Sequence, residues 1–177
     1  MRRCHVESRF AQLRKILAAI QADPRYQRNI LYGEPRSGHP EGSVGAHIED
    51  LEANLERLRP RLKRASDHWK LKLLIHLHDT FKAEAEPDVA IRHPRSHASL
   101  ASAYARAHLL DEDLVNMIQF HDVNYALWLQ YTKSKTYDHR VFQRLLDTIQ
   151  DWDLFLTFLI IDGCTEGKDP AKLRWFI

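Results

Sequence analysis

Apolar residues recur at steps of three and four along most of the chain, the spacing that places them on one face of a helix. In the first such segment, residues 5–22, they include Phe10, Leu13 and Ile20, and Asp23-Pro24 ends the helix. Further helices are predicted after Ser43 and at 66–78, 96–110, 112–120, 123–131 and 138–162. The sequence shows no set of strands with period-two alternation and no internal repeat. The pattern therefore predicts an all-α fold, a bundle of about six or seven helices.

One stretch, residues 33–45, interrupts the helical pattern. It contains four of the six glycines of the chain together with Pro35 and Pro40, a composition typical of a loop. Ser43 near its end is a suitable N-cap for the next helix. With 177 residues the chain has the length of one domain, and we predict a single domain over 1–177 with the first helix packed on the rest.

The composition is that of a soluble globular protein, with 28% charged and 44% hydrophobic residues. A formal net charge of +2 argues against nucleic-acid binding driven by charge. The longest apolar run, residues 154–161, is far shorter than the roughly 20 residues that span a bilayer, so no membrane association is expected. Cys4 and Cys164 lie far apart and do not form the cysteine framework of a small secreted protein. A cytoplasmic location is the expectation.

Histidine is the unusual feature of the composition, with eleven residues. The apolar run at residues 74–77, interrupted by His76, leads into the pair His78-Asp79, and Lys82 follows three residues after the aspartate. Imidazole and carboxylate are ligands that suit zinc, iron, manganese and related ions. A single His-Asp pair is also common at an ordinary helix end, so a metal site requires partners elsewhere in the chain.

Such partners are found at other predicted helix ends. Helix termini from different parts of a bundle can converge on one small volume, whereas residues in the middle of a helix face the core or solvent. His76 lies two residues before His78 and points roughly 200° away around the helix, which excludes it from the same ion. Asp122 competes weakly for a ligand role and is expected to orient His121 or to cap a helix. The candidates at helix ends are His47, His78, Asp79, His97, His121 and Asp162.

The ordered pattern resembles the HD-domain superfamily of metal-dependent phosphohydrolases, an all-α fold whose signature is a histidine, a His-Asp pair and a later aspartate. His97 and His121 further resemble the subset of the superfamily that binds two metals. The resemblance covers about residues 43–169. The segments that match are Ser43-Val44-Gly45-Ala46-His47, Ile75-His76-Leu77-His78-Asp79-Thr80-Phe81-Lys82 and Ile160-Ile161-Asp162-Gly163.

The resemblance implies two divalent metal ions that share a bridging hydroxide, with Asp79 as the bridging carboxylate. It does not separate iron, manganese, zinc, cobalt, nickel and magnesium, of which iron or manganese is favoured. The implied ligands of the first ion are His47, His78, Asp79 and Asp162. Those of the second ion are Asp79, His97 and His121.

Hydrolysis of a phosphoester is the commoner use of this pattern and the function that we expect, with a nucleotide or related small phosphate compound as substrate. Two ions about 4 Å apart lower the pKa of a shared water and hold both the attacking and the leaving oxygens of a phosphoester. Asp79 and Lys82 are the expected catalytic residues. Lys82, Arg36, Arg92 and Arg95 are the expected contacts of the phosphate. Residues that could line the pocket, although each is more often a surface or core residue, are Tyr32, Asn124, Tyr125 and Lys168.

Two alternatives stay open. A diiron oxygenase of the inositol-oxygenase type uses the same ligands to activate O2, and ligand identity alone does not separate it from a hydrolase. A regulatory or binding module with a degenerate site is the other, and the intact ligand set argues against it. The sequence also leaves a homo-oligomer open.

Overall fold

The computed structural model describes residues 2–177, with side chains described from Phe10 onward. Within these residues the chain forms helices and no β-strand, which confirms the predicted all-α bundle. None of the described helices is both long and apolar enough to cross a lipid bilayer. The α-helices are α1 (Arg2–Ala22), α2 (Pro24–Asn29), α3 (Val44–Leu58), α4 (Ala65–Leu77), α5 (His97–Arg106), α6 (Glu112–Phe120), α7 (Val123–Ser134), α8 (His139–Thr148), α9 (Trp152–Gly163) and α10 (Ala171–Phe176).

Helix α4 is the central element of the bundle. Its consecutive residues Leu73, Leu74 and Ile75 are fully buried although they point in different directions, so the helix is enclosed on all sides. It packs against α1, α3, α5, α6 and α9. The residues that follow α4, His78 and Asp79, are therefore placed inside the protein and not at its surface.

The long helix predicted at 138–162 is two helices, α8 and α9. Ile149 between them has an extended backbone, and the side chain of Asp151 accepts a hydrogen bond from the Leu154 amide and so caps α9. The carboxylate of Asp113 accepts hydrogen bonds from the amides of Gln150 and Asp151, both at 2.9 Å. Asp113, which is distant in sequence, thus stabilises the break between α8 and α9. Hydrophobic spacing alone could not indicate this break.

The loop at residues 33–45 is present as predicted, and Ser43 caps α3 by accepting a hydrogen bond from the Ala46 amide at 3.1 Å. The loop at residues 33–45 contacts the segment between α9 and α10. Gly167 in that segment has a φ of 79°, and a Cβ atom there would lie only 2.9 Å from Cδ of Pro40. Only glycine allows this close approach, which brings the two segments together beside the end of α4.

His76 faces away from His78, as predicted, and belongs to a partly buried network of hydrogen bonds. The Tyr26 hydroxyl lies 2.5 Å from its Nδ1, and Oε1 of Glu52 lies 3.0 Å from its Nε2. Lys72 donates to the same Glu52 oxygen at 2.7 Å. Because these residues lie on α2, α3 and α4, the network ties three helices together.

We expect Glu52→Gln to weaken the acid dependence of folding stability. Hydrogen bonds from His76 and Lys72 lower the pKa of Glu52 from its ordinary 4.5 to about 2. A lowered carboxyl pKa stabilises the fold above the unfolded-state value, and this stabilisation is lost as pH falls from about 4.5 through about 2. Because Glu52 is one-third exposed, the contribution at neutral pH is on the order of 1 kcal/mol.

Urea unfolding at pH 7 and at pH 3 measures this contribution. At pH 7 the free energy of unfolding of Glu52→Gln should be lower than that of the wild type. Between pH 7 and pH 3 it should decrease less than that of the wild type. Glu49→Gln, at an exposed position of the same helix, is the matched control. Equal pH dependence of Glu52→Gln and the wild type would contradict the assignment.

Candidate metal centre

The structure brings all the candidate ligands together at one end of the bundle. Three of the contributing helix ends are C-terminal, those of α4, α6 and α9, and two are N-terminal, those of α3 and α5. C-terminal helix ends carry partial negative charge, so the excess of such ends favours a cation. The residues at these ends are His47, His78, Asp79, His97, His121 and Asp162.

The first half of the centre contains His47, His78 and Asp162 with Asp79. Nε2 of His47 lies 3.1 Å from Oδ1 of Asp162, and Nε2 of His78 lies 3.9 Å from the same oxygen. Nε2 of His78 is also 3.4 Å from Oδ2 of Asp79. One ligand atom each from His47, His78 and Asp79 falls within 4.8 Å of the others, close enough for a single ion to contact all three.

The second half contains His97 and His121, again with Asp79. Both histidines place Nε2 at 3.5 Å from Oδ1 of Asp79, and their Nε2 atoms are 3.3 Å apart. The two oxygens of Asp79 thus face different histidine groups, Oδ2 toward His78 and Oδ1 toward His97 and His121. This is the arrangement that a carboxylate bridging two ions requires.

Backbone carbonyls fix which ring nitrogens face the centre. Nδ1 of His78 donates to the Ile75 carbonyl at 3.0 Å, and Nδ1 of His121 donates to the Ile118 carbonyl at 2.7 Å. In the neutral ring the Nε2 atom then carries the free lone pair, as a metal ligand needs. Nε2 of His78 and Oδ1 of Asp79 are both buried without a hydrogen-bond partner among the described residues. Buried polar atoms are normally paired, so these unpartnered atoms fit a bound cation.

The charges around Asp79 are balanced by neighbouring cations. Burial alone would raise the pKa of Asp79, but the charges of Lys82 and His78 hold it well below its ordinary range. Burial lowers the pKa of His121, yet the carboxylates of Asp122 and Asp79 outweigh this and raise it to about 9. A proton on His121 therefore offsets negative charge at the point where a metal cation would do so.

A lysine forms a hydrogen bond with each of the two central carboxylates, those of Asp79 and Asp162. Nζ of Lys82 donates to Oδ2 of Asp79 at 2.5 Å. Nζ of Lys168 donates to Oδ1 of Asp162 at 2.7 Å. The sequence indicated Lys168 only as a residue that could line the pocket. It lies in the segment after α9 that packs against the 33–45 loop, and no periodic pattern indicates its contact with a ligand.

Asp122 is closer to the second half than the sequence suggested. Its Oδ2 lies 3.5 Å from Nε2 of His97 and 3.6 Å from Nε2 of His121, and its side chain does not cap α7. Asp122 is thus a further candidate ligand. The pair His121-Asp122 repeats the pair His78-Asp79, a signal that could have indicated this role.

Glu41 is a residue that sequence reasoning missed. Its Oε1 lies 3.0 Å from Nδ1 of His39 and 2.9 Å from Nδ1 of His47. The His47 contact is close but is not aligned as a hydrogen bond, so it acts mainly through charge. Burial would raise the pKa of Glu41, but the hydrogen bond from His39 and the charge of His47 lower it below its ordinary value. Glu41 thus supplies negative charge on the side of His47 opposite to Asp162.

Two large cavities adjoin the centre, besides a small one of about 20 Å³ that His47, Asp79 and Lys82 help to line. The lysine cavity, of about 590 Å³, is lined by His78, Asp79, His121 and Asp162 together with Lys82, Lys168 and Lys172. The His97-side cavity, of about 540 Å³, has a wall of mixed character, which includes Val89, Ile91 and Ala126 as well as Arg36, Glu86 and Asp88. Lys82 and Tyr125 border both.

Of the residues predicted to contact the phosphate, two line the cavities beside the metal centre and two do not. Arg36 lines the His97-side cavity, and Lys82 borders both cavities. Arg92 is exposed and Arg95 pairs with Glu86 at 2.5 Å, and neither is among the residues that line the two cavities. Of the arginines, Arg36 is thus the one placed near the centre.

Comparison with models of protein families, with curated proteins and with solved structures found no match to this chain. Its chemistry is therefore inferred from its own residues. The observation that bears most directly on that chemistry is the set of histidine and carboxylate atoms around Asp79.

We expect the protein to bind two divalent ions per chain and His97→Ala to bind fewer. Removing His97 leaves the first half intact, whereas Asp79→Asn affects both halves because a neutral amide cannot bridge two cations. Metal content after loading with Mn(II) or Fe(II), measured by mass spectrometry, tests this. His139→Ala, at an exposed histidine, is the control. Unchanged metal content in both Asp79→Asn and His97→Ala would show that the ions lie elsewhere.

Glu41→Gln should weaken metal binding about 10- to 100-fold, the usual effect of losing a charged partner behind a ligating histidine. The substitution keeps the shape of the side chain and removes its charge. Competition with a fluorescent chelator measures the dissociation constants. Glu34→Gln, in the same loop but exposed, should leave them unchanged. Equal affinities for Glu41→Gln and Glu34→Gln would rule out a role of Glu41 at His47.

Proposed function

We propose that this protein is a metal-dependent hydrolase of phosphoesters that acts on a nucleotide or a related small phosphate compound. The observation that supports it is the lysine cavity, where Lys82, Lys168 and Lys172 line the same space as the candidate metal ligands. A dianionic phosphate placed against the centre would meet these ammonium groups. Cationic side chains beside metal ligands are what phosphoryl transfer requires.

The family that we propose for the chain is the HD-domain superfamily. Its signature residues correspond to His47, the pair His78-Asp79, and Asp162. That these residues lie together in space, as do His97 and His121, supports the proposal for the subset with two metals. An all-α fold with ligands at helix ends is also compatible with it.

The reaction is the addition of water across a phosphoester bond. The water oxygen forms a bond to phosphorus, the bond from phosphorus to the ester oxygen breaks, and the leaving oxygen takes a proton. No oxidant or reductant is needed. When bound, the two ions supply an activated water and positive charge for the phosphoryl oxygens.

Lys82 holds the phosphate in this proposal. Burial would lower the pKa of Lys82, but Asp79 and Asp122 outweigh it and raise the pKa above its ordinary value. The side chain therefore stays a cation at neutral pH and serves as an electrostatic contact, not as a base. Its hydrogen bond to Asp79 keeps the ammonium group at the centre, within reach of a phosphoryl oxygen.

We expect metal-dependent release of phosphate from a panel of phosphoesters assayed with Mn(II) and Fe(II), and its loss on chelation. Lys82→Met should keep the bound metal and lower kcat/KM by about 100-fold, because it removes a charge that stabilises the transition state. Lys133→Met, at an exposed position of α7, is the matched control. Anaerobic purification, metal analysis and electron paramagnetic resonance complete the test. A mixed-valent diiron signal with O2 uptake on addition of substrate would overturn the hydrolase and favour an oxygenase.

A further inference from the structure

The backbone that carries Lys82 is held by few hydrogen bonds of its own. After α4 ends, Lys82 begins a single turn of 3-10 helix, Lys82–Glu84. The Glu84 amide donates to the Phe81 carbonyl at 3.2 Å. The Ala85 amide donates to the Lys82 carbonyl at 3.4 Å. Such turns have poorer hydrogen-bond geometry than an α-helix, so contacts from other elements must fix where this one lies.

Glu84, at the other end of the turn, is bound by side chains of α2. Nε and Nη2 of Arg25 donate to its two carboxylate oxygens at 3.0 and 2.6 Å. Nδ2 of Asn29, a residue only 4% exposed, donates to Oε1 of Glu84 at 2.7 Å. A single ion pair at the surface contributes little, but a bidentate arginine–carboxylate pair with a further donor fixes geometry as well as charge. Three hydrogen bonds thus attach the turn to α2.

Arg25 is itself fixed by aromatic rings and by the start of α2. Its guanidinium carbon lies 4.6 Å from the centroid of the fully buried Phe81 ring and 5.9 Å from that of Tyr104 on α5. Asp23 accepts hydrogen bonds from the Arg25 amide at 2.7 Å and from the Tyr104 hydroxyl at 2.6 Å. Because Phe81 directly precedes Lys82 and the paired carboxylate follows it, Arg25 contacts the chain on both sides of that lysine.

The Lys82 side chain extends from this turn to the metal centre. A lysine side chain is flexible, so its ammonium group has a fixed place only if the backbone that carries it is fixed as well. A displacement of about 1 Å at a reacting group can cost about 100-fold in rate. Arg25 and Glu84 are not among the residues that line the three cavities beside the centre. Any effect of the two residues on the reaction therefore passes through the turn.

We propose that Arg25 and Glu84 are positioning residues for the reaction, because their bidentate pair fixes the turn that carries Lys82 and keeps its ammonium group where the phosphate binds. The inference rests on the proposed hydrolase function. A pair that only supported the fold would differ in one respect. Its loss would then lower the activity by the same factor whether or not Lys82 is present.

Chemical labelling tests the placement of Lys82 without an assay of activity. The Mn(II)-loaded protein is treated with limiting acetic anhydride, and acetylation of each lysine is followed by mass spectrometry. Lys82 should react at least about threefold faster in Glu84→Gln and in Arg25→Met than in the wild type, because local opening exposes its ammonium group. Lys133, exposed on α7, should react equally in all of them. The two variants lie on different elements, so poor folding of one does not decide the result.

A double-mutant cycle relates this placement to the reaction. With Mn(II), kcat/KM is measured on adenosine 5'-phosphate, a monoester, and on bis(4-nitrophenyl) phosphate, a diester. Glu84→Gln should lower it about tenfold in the wild type but less than about twofold in Lys82→Met, where no ammonium group remains to be placed. Arg25→Lys, which keeps the charge without the bidentate geometry, should have an intermediate effect. All these variants should retain the bound metal.

Glu56→Gln is the matched control. Glu56 also pairs with an arginine, Arg59, at 3.1 Å. It lies nine residues after His47 on α3, roughly 14 Å along the helix axis. The variant should leave both the labelling of Lys82 and kcat/KM unchanged.

The outcomes are distinct. Faster labelling of Lys82, together with an effect of Glu84→Gln that disappears in Lys82→Met, supports the inference. Unchanged labelling in both well-folded variants, or an equal loss of kcat/KM in both backgrounds, overturns the inference and leaves the hydrolase function standing. If the metal-loaded wild type turns over neither phosphoester, the proposed function itself fails, and the inference fails with it.

Discussion

The buried carboxylate of Asp79 is the constraint on which the rest of the site depends. An ion removed from water costs several kcal/mol unless opposite charges and hydrogen bonds surround it. Here the Lys82 ammonium group provides that compensation, and the rings of His78, His97 and His121 face the two oxygens. These groups come from three helix ends, those of α4, α5 and α6. The way in which the helix ends converge is thus linked to the need to neutralise the buried charge of Asp79.

Helix α4 makes this burial achievable. Because Leu73, Leu74 and Ile75 bury its C-terminal half on all sides, the helix runs into the middle of the bundle and ends where the other helix termini meet. The two histidines at its C-terminal end, His76 and His78, then have separate roles. His76 closes a hydrogen-bond network with Tyr26 and Glu52 that ties neighbouring helices together, whereas His78 turns its Nε2 atom to the centre. Because residues two apart point to opposite sides of a helix, one histidine supports the packing of the helices and the other faces the metal centre.

Much of the fold and of the ligand set could be predicted because both depend on local pattern. Helical spacing indicated the all-α class, and the position of each candidate ligand at a helix end indicated its convergence. The break at Ile149 was missed because it is stabilised by Asp113, which is remote in sequence. The role of Glu41 and the contact of Lys168 with Asp162 were missed for a related reason. Both residues lie on irregular segments, where no periodicity relates a side chain to its neighbours in space.

The 33–45 loop and the segment after α9 contact each other as well as the metal centre. Their mutual contact determines which charges they place beside the candidate ligands. Gly167 allows the backbone after α9 to approach Pro40, and the same approach places Lys168 beside Asp162 and Glu41 beside His47. One segment therefore adds a positive charge and the other a negative charge on either side of the His47–Asp162 contact. A side chain at position 167 would push the segments apart and disturb both charges together. The electrostatics of the first half of the centre thus depend on a single point of backbone packing that bears no ligand of its own.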